Sequence, residues 1–272
     1  MPEFQRYHRN TTMWESSLAF MDTMYVSIVR EFRSETGGSM LGFVSALIRP
    51  LFLFAIFWVL YEFIGRSALI RGDFLLFMMT GIFLYLAHIQ AVTTLKGAGH
   101  GSSGMIFYAK TSTLLNILTS AINQLYILIL SVIVIMGCAY LFRGHLEVYD
   151  PGRMLLPFFI AFASGLAVGL LFLSITPLAP GVIPMLYQFY RRAQMITSGK
   201  MFLANMLPAD LLPFFSWNPL FHSIDQARGH AFINYTPRNT SIEYAIYFTL
   251  AAFAIGFVIE FAMRARESRG LE

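Results

Sequence analysis

Residues 74–95 read FLLFMMTGIFLYLAHIQAVTTL, and this stretch decides the fold. It contains no Asp, Glu, Lys or Arg. A helix of about 20 mostly apolar residues is long enough to cross the ~30 Å hydrocarbon core of a bilayer. Five further segments share its apolar character and predict the same structure. The six predicted transmembrane helices are 42–64, 74–95, 114–142, 154–176, 183–205 and 243–264.

The composition of the whole chain also requires lipid as a solvent. Of its 272 residues, 57% are hydrophobic and 12% are charged, whereas soluble domains carry about 25% charged residues. This composition excludes the soluble globular and the disordered classes. The chain is therefore predicted to be an all-α membrane protein in which residues 1–272 form a single transmembrane domain.

Lysine and arginine predict the orientation of the chain. Cytoplasmic loops of membrane proteins carry an excess of these residues. If the N-terminus is cytoplasmic, ten of them lie on the cytoplasmic side and six on the outer side, with three more inside the fifth predicted span. Both termini are therefore predicted to lie in the cytoplasm.

Residues 14–33 are predicted to form an amphipathic helix before the first span. Apolar residues recur there at steps of four and three, which places them on one helical face. These residues are Trp14, Leu18, Met21, Tyr25, Ile28 and Phe32. Because this face carries Trp and Tyr and leads directly into the first span, we expect the helix to lie in the membrane interface. The alternative is a soluble helix packed on a partner protein.

Two segments outside the spans have their own character. Residues 96–112 form a glycine-rich loop flanked by Lys96 and Lys110, and the second half, 105–112, is predicted as a short cytoplasmic helix. The alternative there is a flexible loop throughout. In residues 206–242, four prolines divide apolar pieces that are too short to span. Such pieces predict re-entrant or interfacial helices on the outer side, before the last span.

No motif for ATP hydrolysis or metal-dependent catalysis is present. The phosphate-loop pattern G-x-x-x-x-G-K-[ST] fails at its closest match, where Gln194 replaces the first Gly and Met201 replaces the Ser or Thr. The six histidines have no metal-ligand spacing, and no D-x-D pair occurs. The chain is therefore not predicted to be an enzyme, to hold a metal or cofactor itself, or to bind nucleic acid.

Two groups of residues resemble a known family of membrane proteins. Residues 30–32 (REF), 37–39 (GGS) and 41–43 (LGF), followed by Pro50, resemble the approach to the first span in ABC-2-type permeases. Residues 217–222 (WNPLFH), followed by Arg228, are similar to the N-P-L segment before the last span of that family. The capsular polysaccharide export permeases match best within it. One difference is Arg49, which stands where many relatives carry an acidic residue, so no role is assigned to it.

The resemblance implies a function and a set of partners. It implies the transmembrane subunit of an exporter that moves a capsular polysaccharide across the bacterial inner membrane. The positive charge of Arg191 in the fifth predicted span favours an acidic polymer. It also implies a homodimer with two copies of a separate ATPase, which holds the ATP and Mg, together with periplasmic export partners. Whether a lipid end-group on the polymer is recognised stays open. The resemblance places a coupling helix in the loop 96–112, and the residues expected to contact the ATPase are Met105, Phe107, Tyr108 and Lys110.

A polar stripe in the fifth predicted span is the candidate substrate pathway. At 100° per residue, its members fall within about 60° of arc on one helical face. They are Tyr187, Arg191, Gln194, Ser198 and Asn205. Ionisable residues inside a span usually face a water-filled path or a partner. The alternative is that Arg191 and Arg192 snorkel to the headgroups; we favour the pathway for Arg191 and leave Arg192 open.

Aromatic side chains in the first predicted span are further pathway candidates. The faces of sugar rings are apolar and can stack on Trp58 and Tyr61. Such residues also form the core or the interfacial belt of membrane proteins. Two other functions compete with capsule export. One is an ABC-2 exporter of O-antigen, teichoic acid or a drug, and the other is a non-ABC membrane enzyme or channel, for which no paired carboxylates or histidine cluster is visible.

Overall fold

The computed structural model describes residues 21–30, 74–98, 113–143 and 148–269, together with residues 44, 48, 51, 52, 55, 56 and 59. All regular secondary structure in this described part is helical. The predicted all-α class is therefore confirmed for these residues. The predicted span 42–64 lies largely outside them, as do residues 99–112 of the predicted coupling loop.

Residues 21–30 are helical, and seven labelled helices follow them. They are α1 (Phe74–Ala98), α2 (Thr113–Arg143), α3 (Pro151–Ile175), α4 (Ile183–Thr197), α5 (Pro213–Ser216), α6 (Pro219–Ala231) and α7 (Ile242–Arg269). Short 3-10 turns at Thr176–Leu178 and Ala204–Met206 follow α3 and precede α5.

Four of the described helices are long and apolar enough to cross a membrane. They cover Phe74–Gly97, Ile117–Cys138, Pro151–Leu178 and Ile242–Met263. Long apolar helices are therefore confirmed at four of the predicted spans, which are 74–95, 114–142, 154–176 and 243–264. In residues 21–30, the side chains of Met21 and Tyr25 are exposed, as an interfacial helix requires; contact with lipid stays a prediction.

Helix α1 is the centre of the described structure. Nearly all of its side chains are buried, and it packs closely on α3 through two glycines. A Cβ added to Gly165 would lie 2.4 Å from the His88 carbonyl oxygen, and one added to Gly169 would lie 2.9 Å from the Cβ of Leu95. These positions allow the two backbones to approach as small residues do in membrane proteins.

The fifth predicted span differs from the structure. Helix α4 ends at Thr197 and not at residue 205, so its 15 residues extend only about 22 Å. Gly199 follows with φ of +71°, in the left-handed region where a side chain would be strained. The ring of Phe221 would also lie 2.6 Å from a Cβ at this glycine. The helix therefore stops at the first position that permits a sharp turn.

The buried side chain of Arg228 satisfies the backbone that this turn exposes. Its guanidinium donates hydrogen bonds to the carbonyl oxygens of Gly199 (2.9 Å), Lys200 (2.6 Å) and Phe202 (2.5 Å). Arg228 is 1% exposed. Non-helical backbone away from water persists only when its polar groups have partners in the protein. Arg228 on α6 thus allows α4 to end inside the protein.

Short helices occupy the proline-rich segment 206–242, as predicted. Asn218 caps α6 by accepting a hydrogen bond from the Leu220 amide, and Pro219 occupies the first turn. Buried residues of α6 pack on α1 and α3 around Leu84 and Ala161. Helix α6 is therefore part of the core of the described structure, while its relation to the membrane stays a prediction.

Candidate functional site

The structure separates the members of the predicted polar stripe. Tyr187, Gln194 and Ser198 are buried, whereas Arg191 is exposed, as is its neighbour Arg192. Asn205 does not continue the helical face, because it lies in the 3-10 turn after the break. There its side chain donates to the Thr236 carbonyl at 2.8 Å and accepts from the Arg238 amide at 3.1 Å.

Six other predicted site residues lie outside the described part of the chain. They are Trp58, Tyr61, Met105, Phe107, Tyr108 and Lys110.

A chain of buried hydrogen bonds crosses the centre of the protein. The Nδ1 atom of His88 lies 2.9 Å from the Ser164 hydroxyl and 3.2 Å from the Ala161 carbonyl oxygen. Its Nε2 atom lies 2.5 Å from the Tyr190 hydroxyl. Because a carbonyl can only accept, Nδ1 is the donor, and the bare Nε2 accepts from Tyr190.

The chain continues from Tyr190 into the next turn of α4. The Tyr190 hydroxyl accepts from the Gln194 amide at 2.9 Å. Gln194 in turn accepts from the Asn218 amide at 2.7 Å, and Asn218 also donates to Thr197 at 3.0 Å. The bonds therefore join α3, α1, α4 and the start of α6. One continuous series of donors and acceptors runs from Asn218 through Gln194, Tyr190 and His88 to Ser164. Hydrogen bonds in such a chain polarise and strengthen one another.

Sequence reasoning did not single out His88, and it considered Tyr190 only as one of several aromatic residues that could stack on a sugar ring. The signal was present, since His88 lies inside the predicted span 74–95, which has no Asp, Glu, Lys or Arg, and such residues are functional candidates. Its partners could not be identified from the sequence, because Ser164 and Tyr190 are 76 and 102 residues away.

A cationic seam opens at the end of α1. Among the residues of α1 whose burial is described, only Thr93 and Gly97 are exposed. Beside them, the Lys96 Nζ lies 4.6 Å and the Arg191 Cζ 5.7 Å from the centroid of the Tyr187 ring. The Tyr187 hydroxyl lies 2.6 Å from the Thr93 hydroxyl. Since Thr93 donates to the Ile89 carbonyl, Tyr187 is the donor of that bond. We call Thr93, Lys96, Tyr187 and Arg191 the α1–α4 seam.

Two more cations contact aromatic rings that lie nearer the N-terminal end of α1. The Lys200 Nζ lies 3.5 Å from the Tyr85 ring centroid, and the Arg228 Cζ lies 4.1 Å from that of Phe77. Both cations are buried, unlike Arg191. They hold the turn after α4 and helix α6 against α1, so we assign these two cations a structural role.

Acidic and titratable groups of the segment 206–242 form a separate network. The buried Asp225 accepts from the hydroxyls of Tyr235 (2.5 Å) and Thr240 (2.8 Å). Burial lowers the pKa of Arg228 to about 10, a shift that the nearby Asp225 charge opposes, so Arg228 is a cation at neutral pH. Burial, followed by the charge of Asp225, raises the pKa of Tyr235.

His222 connects this network to the last span. Its Nε2 atom donates to the Ser216 carbonyl at 2.7 Å, and its Nδ1 atom accepts from the Ser241 amide at 3.0 Å. Its ring also lies against Tyr244, with centroids 4.5 Å apart. Burial lowers the pKa of His222. The hydrogen bond that Nδ1 accepts from Ser241 requires this neutral form, because both nitrogens of a protonated ring are donors.

Two curated proteins match most of the chain. Both are named polysialic acid transport protein KpsM, from Escherichia coli. Each is 21% identical over 237 residues, which is 87% of this chain and 92% of the relative. No family model matches the chain. The two relatives confirm the resemblance to capsular polysaccharide export permeases of ABC-2 type that the sequence motifs predicted.

Proposed function

We propose that this chain is the membrane-spanning subunit of an ABC exporter that translocates an acidic capsular polysaccharide across the bacterial inner membrane. The observation that carries the proposal is the match to a polysialic acid transport protein over 87% of the chain. The four apolar helices support a multi-pass membrane protein. Both relatives carry the name of an acidic polymer, which supports an acidic substrate here.

Arg191 is the residue of the predicted stripe that we propose for the substrate pathway. It is exposed on α4, and a cation in surroundings of low dielectric constant attracts an acid group far more strongly than one in water. Gln194 and Ser198 are fully enclosed by protein, and Gln194 supports the pathway by bonding α4 to Asn218. Trp58 and Tyr61 stay proposed as sugar-stacking residues, and Asn205 as a polar group near the outer end.

The energy for transport comes, in this proposal, from a separate ATPase that binds ATP and Mg. Its docking element is the loop 96–112, with contacts from Met105, Phe107, Tyr108 and Lys110. Helix α1 leads into this loop, and its close packing on α3 gives the loop a rigid support. Motion of the loop would therefore be transmitted to the core of the subunit.

We further propose that two copies of the chain enclose the pathway at a two-fold axis. A closed two-fold dimer is the commonest arrangement of identical subunits. In the most apolar stretches of α2 and α7, only 28% and 17% of the residues are buried. These faces are available to lipid or to a second copy.

Deletion of the gene for this chain tests the proposal. We expect loss of surface polysaccharide with accumulation of the polymer in the cytoplasm, and restoration by the wild-type chain. Normal surface polysaccharide after deletion would contradict the function. Loss of O-antigen, teichoic acid or drug resistance instead would assign another ABC-2 substrate.

Two sets of variants test the assignments of the substrate pathway and of the ATPase-docking element. Arg191→Gln should reduce export at matched abundance, and Arg192→Gln should have less effect. Phe107→Asp with Tyr108→Asp should abolish co-purification with the ATPase, and unchanged co-purification would refute the docking assignment.

A further inference from the structure

The α1–α4 seam carries two positive charges around a single aromatic ring. Lys96 lies in the last turn of α1, where the helix dipole favours a cation. Arg191 extends from α4 to the same ring. Since the Lys96 Nζ lies 4.6 Å and the Arg191 Cζ 5.7 Å from the same ring centroid, the two charges are separated by roughly 10 Å at most, which is about one Debye length at 0.1 M salt. They therefore repel each other unless an anion is present.

The ring of Tyr187 positions these charges without neutralising them. It is buried, packs edge-on against Phe172 with centroids 5.7 Å apart, and is fixed by the hydroxyl bond to Thr93. An aromatic ring attracts a cation through its quadrupole and carries no net charge. Both positive charges therefore remain available to a ligand.

Carboxylates of the described residues do not compensate the two cations. Among the described residues, neither Lys96 nor Arg191 forms an ion pair with a carboxylate, in contrast to Arg153, which pairs with Asp150 at 3.4 Å. The seam is also open, since Thr93 and Gly97 beside it are exposed. Two uncompensated cations at the open end of a buried helix are an arrangement suited to an oxyanion.

We propose that Lys96 and Arg191, held around Tyr187, form a binding site for the acid groups of the translocated polymer. The proposal rests on the proposed function and adds Lys96 and Tyr187 to Arg191. The guanidinium supplies paired donors in a planar fork, and the ammonium supplies a compact second charge. Neighbouring acid groups of one polymer can contact both, whereas a neutral sugar gains nothing from either charge. The site lies at the end of α1 that leads into residues 99–112.

Direct binding to the full chain in nanodiscs of neutral lipid tests the site. The probes are oligogalacturonate, a carboxylated sugar polymer, and a malto-oligosaccharide of the same length, which is neutral. We expect the wild-type chain to bind the acidic probe and to bind it less tightly as salt rises. Lys96→Gln and Arg191→Gln should each weaken binding about tenfold, as expected for a charge-assisted contact.

Three further variants separate the site from general effects of charge and folding. Arg192→Gln removes an exposed cation one residue along α4 and should leave binding unchanged. Tyr187→Phe keeps the ring and should retain most of the binding, whereas Tyr187→Leu should weaken it as much as loss of both cations. Equal effects of Arg192→Gln and Arg191→Gln, or equal binding of the two probes, would overturn the proposal.

Anionic lipid is the competing source of an oxyanion. Nanodiscs that contain phosphatidylglycerol should compete only weakly with the acidic probe. Complete loss of probe binding in those nanodiscs would assign the site to a headgroup phosphate and overturn the polymer assignment.

Cell assays distinguish failure of this site from failure of the proposed function. If deletion of the chain abolishes surface polysaccharide but the Lys96→Gln/Arg191→Gln variant exports and binds normally, the site is refuted and the function stands. If deletion leaves surface polysaccharide intact while the purified chain binds the acidic probe through Lys96 and Arg191, the function is refuted and the anion site stands.

Discussion

The side-chain amides of Gln194 and Asn218 face each other and exchange hydrogen bonds of 2.7 and 3.3 Å, although the two residues are 24 positions apart. Gln194 is near the end of α4, and Asn218 caps α6. One amide pair therefore fixes the end of one short helix to the start of the next. The N-P-L segment that resembles the permease family contains one half of this pair.

Replacing both members of the pair should destabilise the protein by less than the sum of the two single replacements. Asn218→Leu or Gln194→Met alone leaves a buried amide without its partner, which costs about 1–3 kcal/mol. The double variant removes both polar groups, so its loss should be smaller than the sum of the single losses. Thermal unfolding of the purified chain in detergent measures the difference. Strictly additive losses would show that the pair does not couple the helices.

Arg228→Lys should destabilise the protein although it keeps the positive charge. A lysine ammonium is a single point of charge, whereas Arg228 reaches three carbonyl oxygens of the turn after α4. We expect a loss of about 3 kcal/mol or more, as when one partner of a buried charged network is removed. Protease resistance and the yield of monodisperse protein report the loss. Arg238→Lys, at an exposed position outside the helices, should behave as wild type.

Two glycine variants of opposite outcome test the packing of α1 on α3. Gly165→Ala would bring a methyl group to 2.4 Å from the His88 carbonyl oxygen, and such overpacking costs about 1–3 kcal/mol. A Cβ at Gly137 on α2 would meet no atom within 4 Å. Gly137→Ala should therefore be neutral or stabilise by up to about 1 kcal/mol, because alanine favours a helix. The melting temperature of Gly165→Ala should fall, whereas that of Gly137→Ala should stay the same or rise.

His222 should make stability fall at acid pH. Burial holds its pKa below the ordinary value of 6.5, so the unfolded chain binds a proton more readily than the folded one. The contribution of the neutral ring is complete above pH 6.5 and is lost as pH falls through the pKa of the folded state. His222→Gln should flatten the stability curve in the range where pH falls below 6.5. An unchanged slope in the variant would refute the assignment.

The sequence predicted the long helices because each is an uninterrupted apolar run, and α1, α2, α3 and α7 needed no other information. It could not predict the end of α4, since residues 201–204 (MFLA) are as apolar as a helix. The turn depends on Arg228, whose acceptors are 26 to 29 residues away. Gly199 was the local signal that was missed.

The polar stripe shows the limit of helical periodicity for finding a site. Helical periodicity placed Tyr187, Gln194 and Ser198 on one face, and each of the three is buried. Periodicity does not indicate whether a polar face meets water or protein. Arg191, at the edge of that face, is exposed, and its neighbour Lys96 comes from a helix about 95 positions earlier, which no local pattern connects to it.

The contrast between the buried and the exposed positions of α1 also makes the chain suitable for site-specific cysteine labelling. The protein has one cysteine, Cys138, so Cys138→Ser gives a background without reactive sulfur. In that background, a water-soluble maleimide can reach a cysteine placed at Thr93 or Gly97, whereas the fully buried Ala87 and Ala91 positions are closed to it. A Cβ at Gly97 meets no atom within 4 Å, so a reporter there leaves the fold undisturbed. The labelling rate at this position thus becomes a direct gauge of whether the seam is open or occupied during a transport cycle.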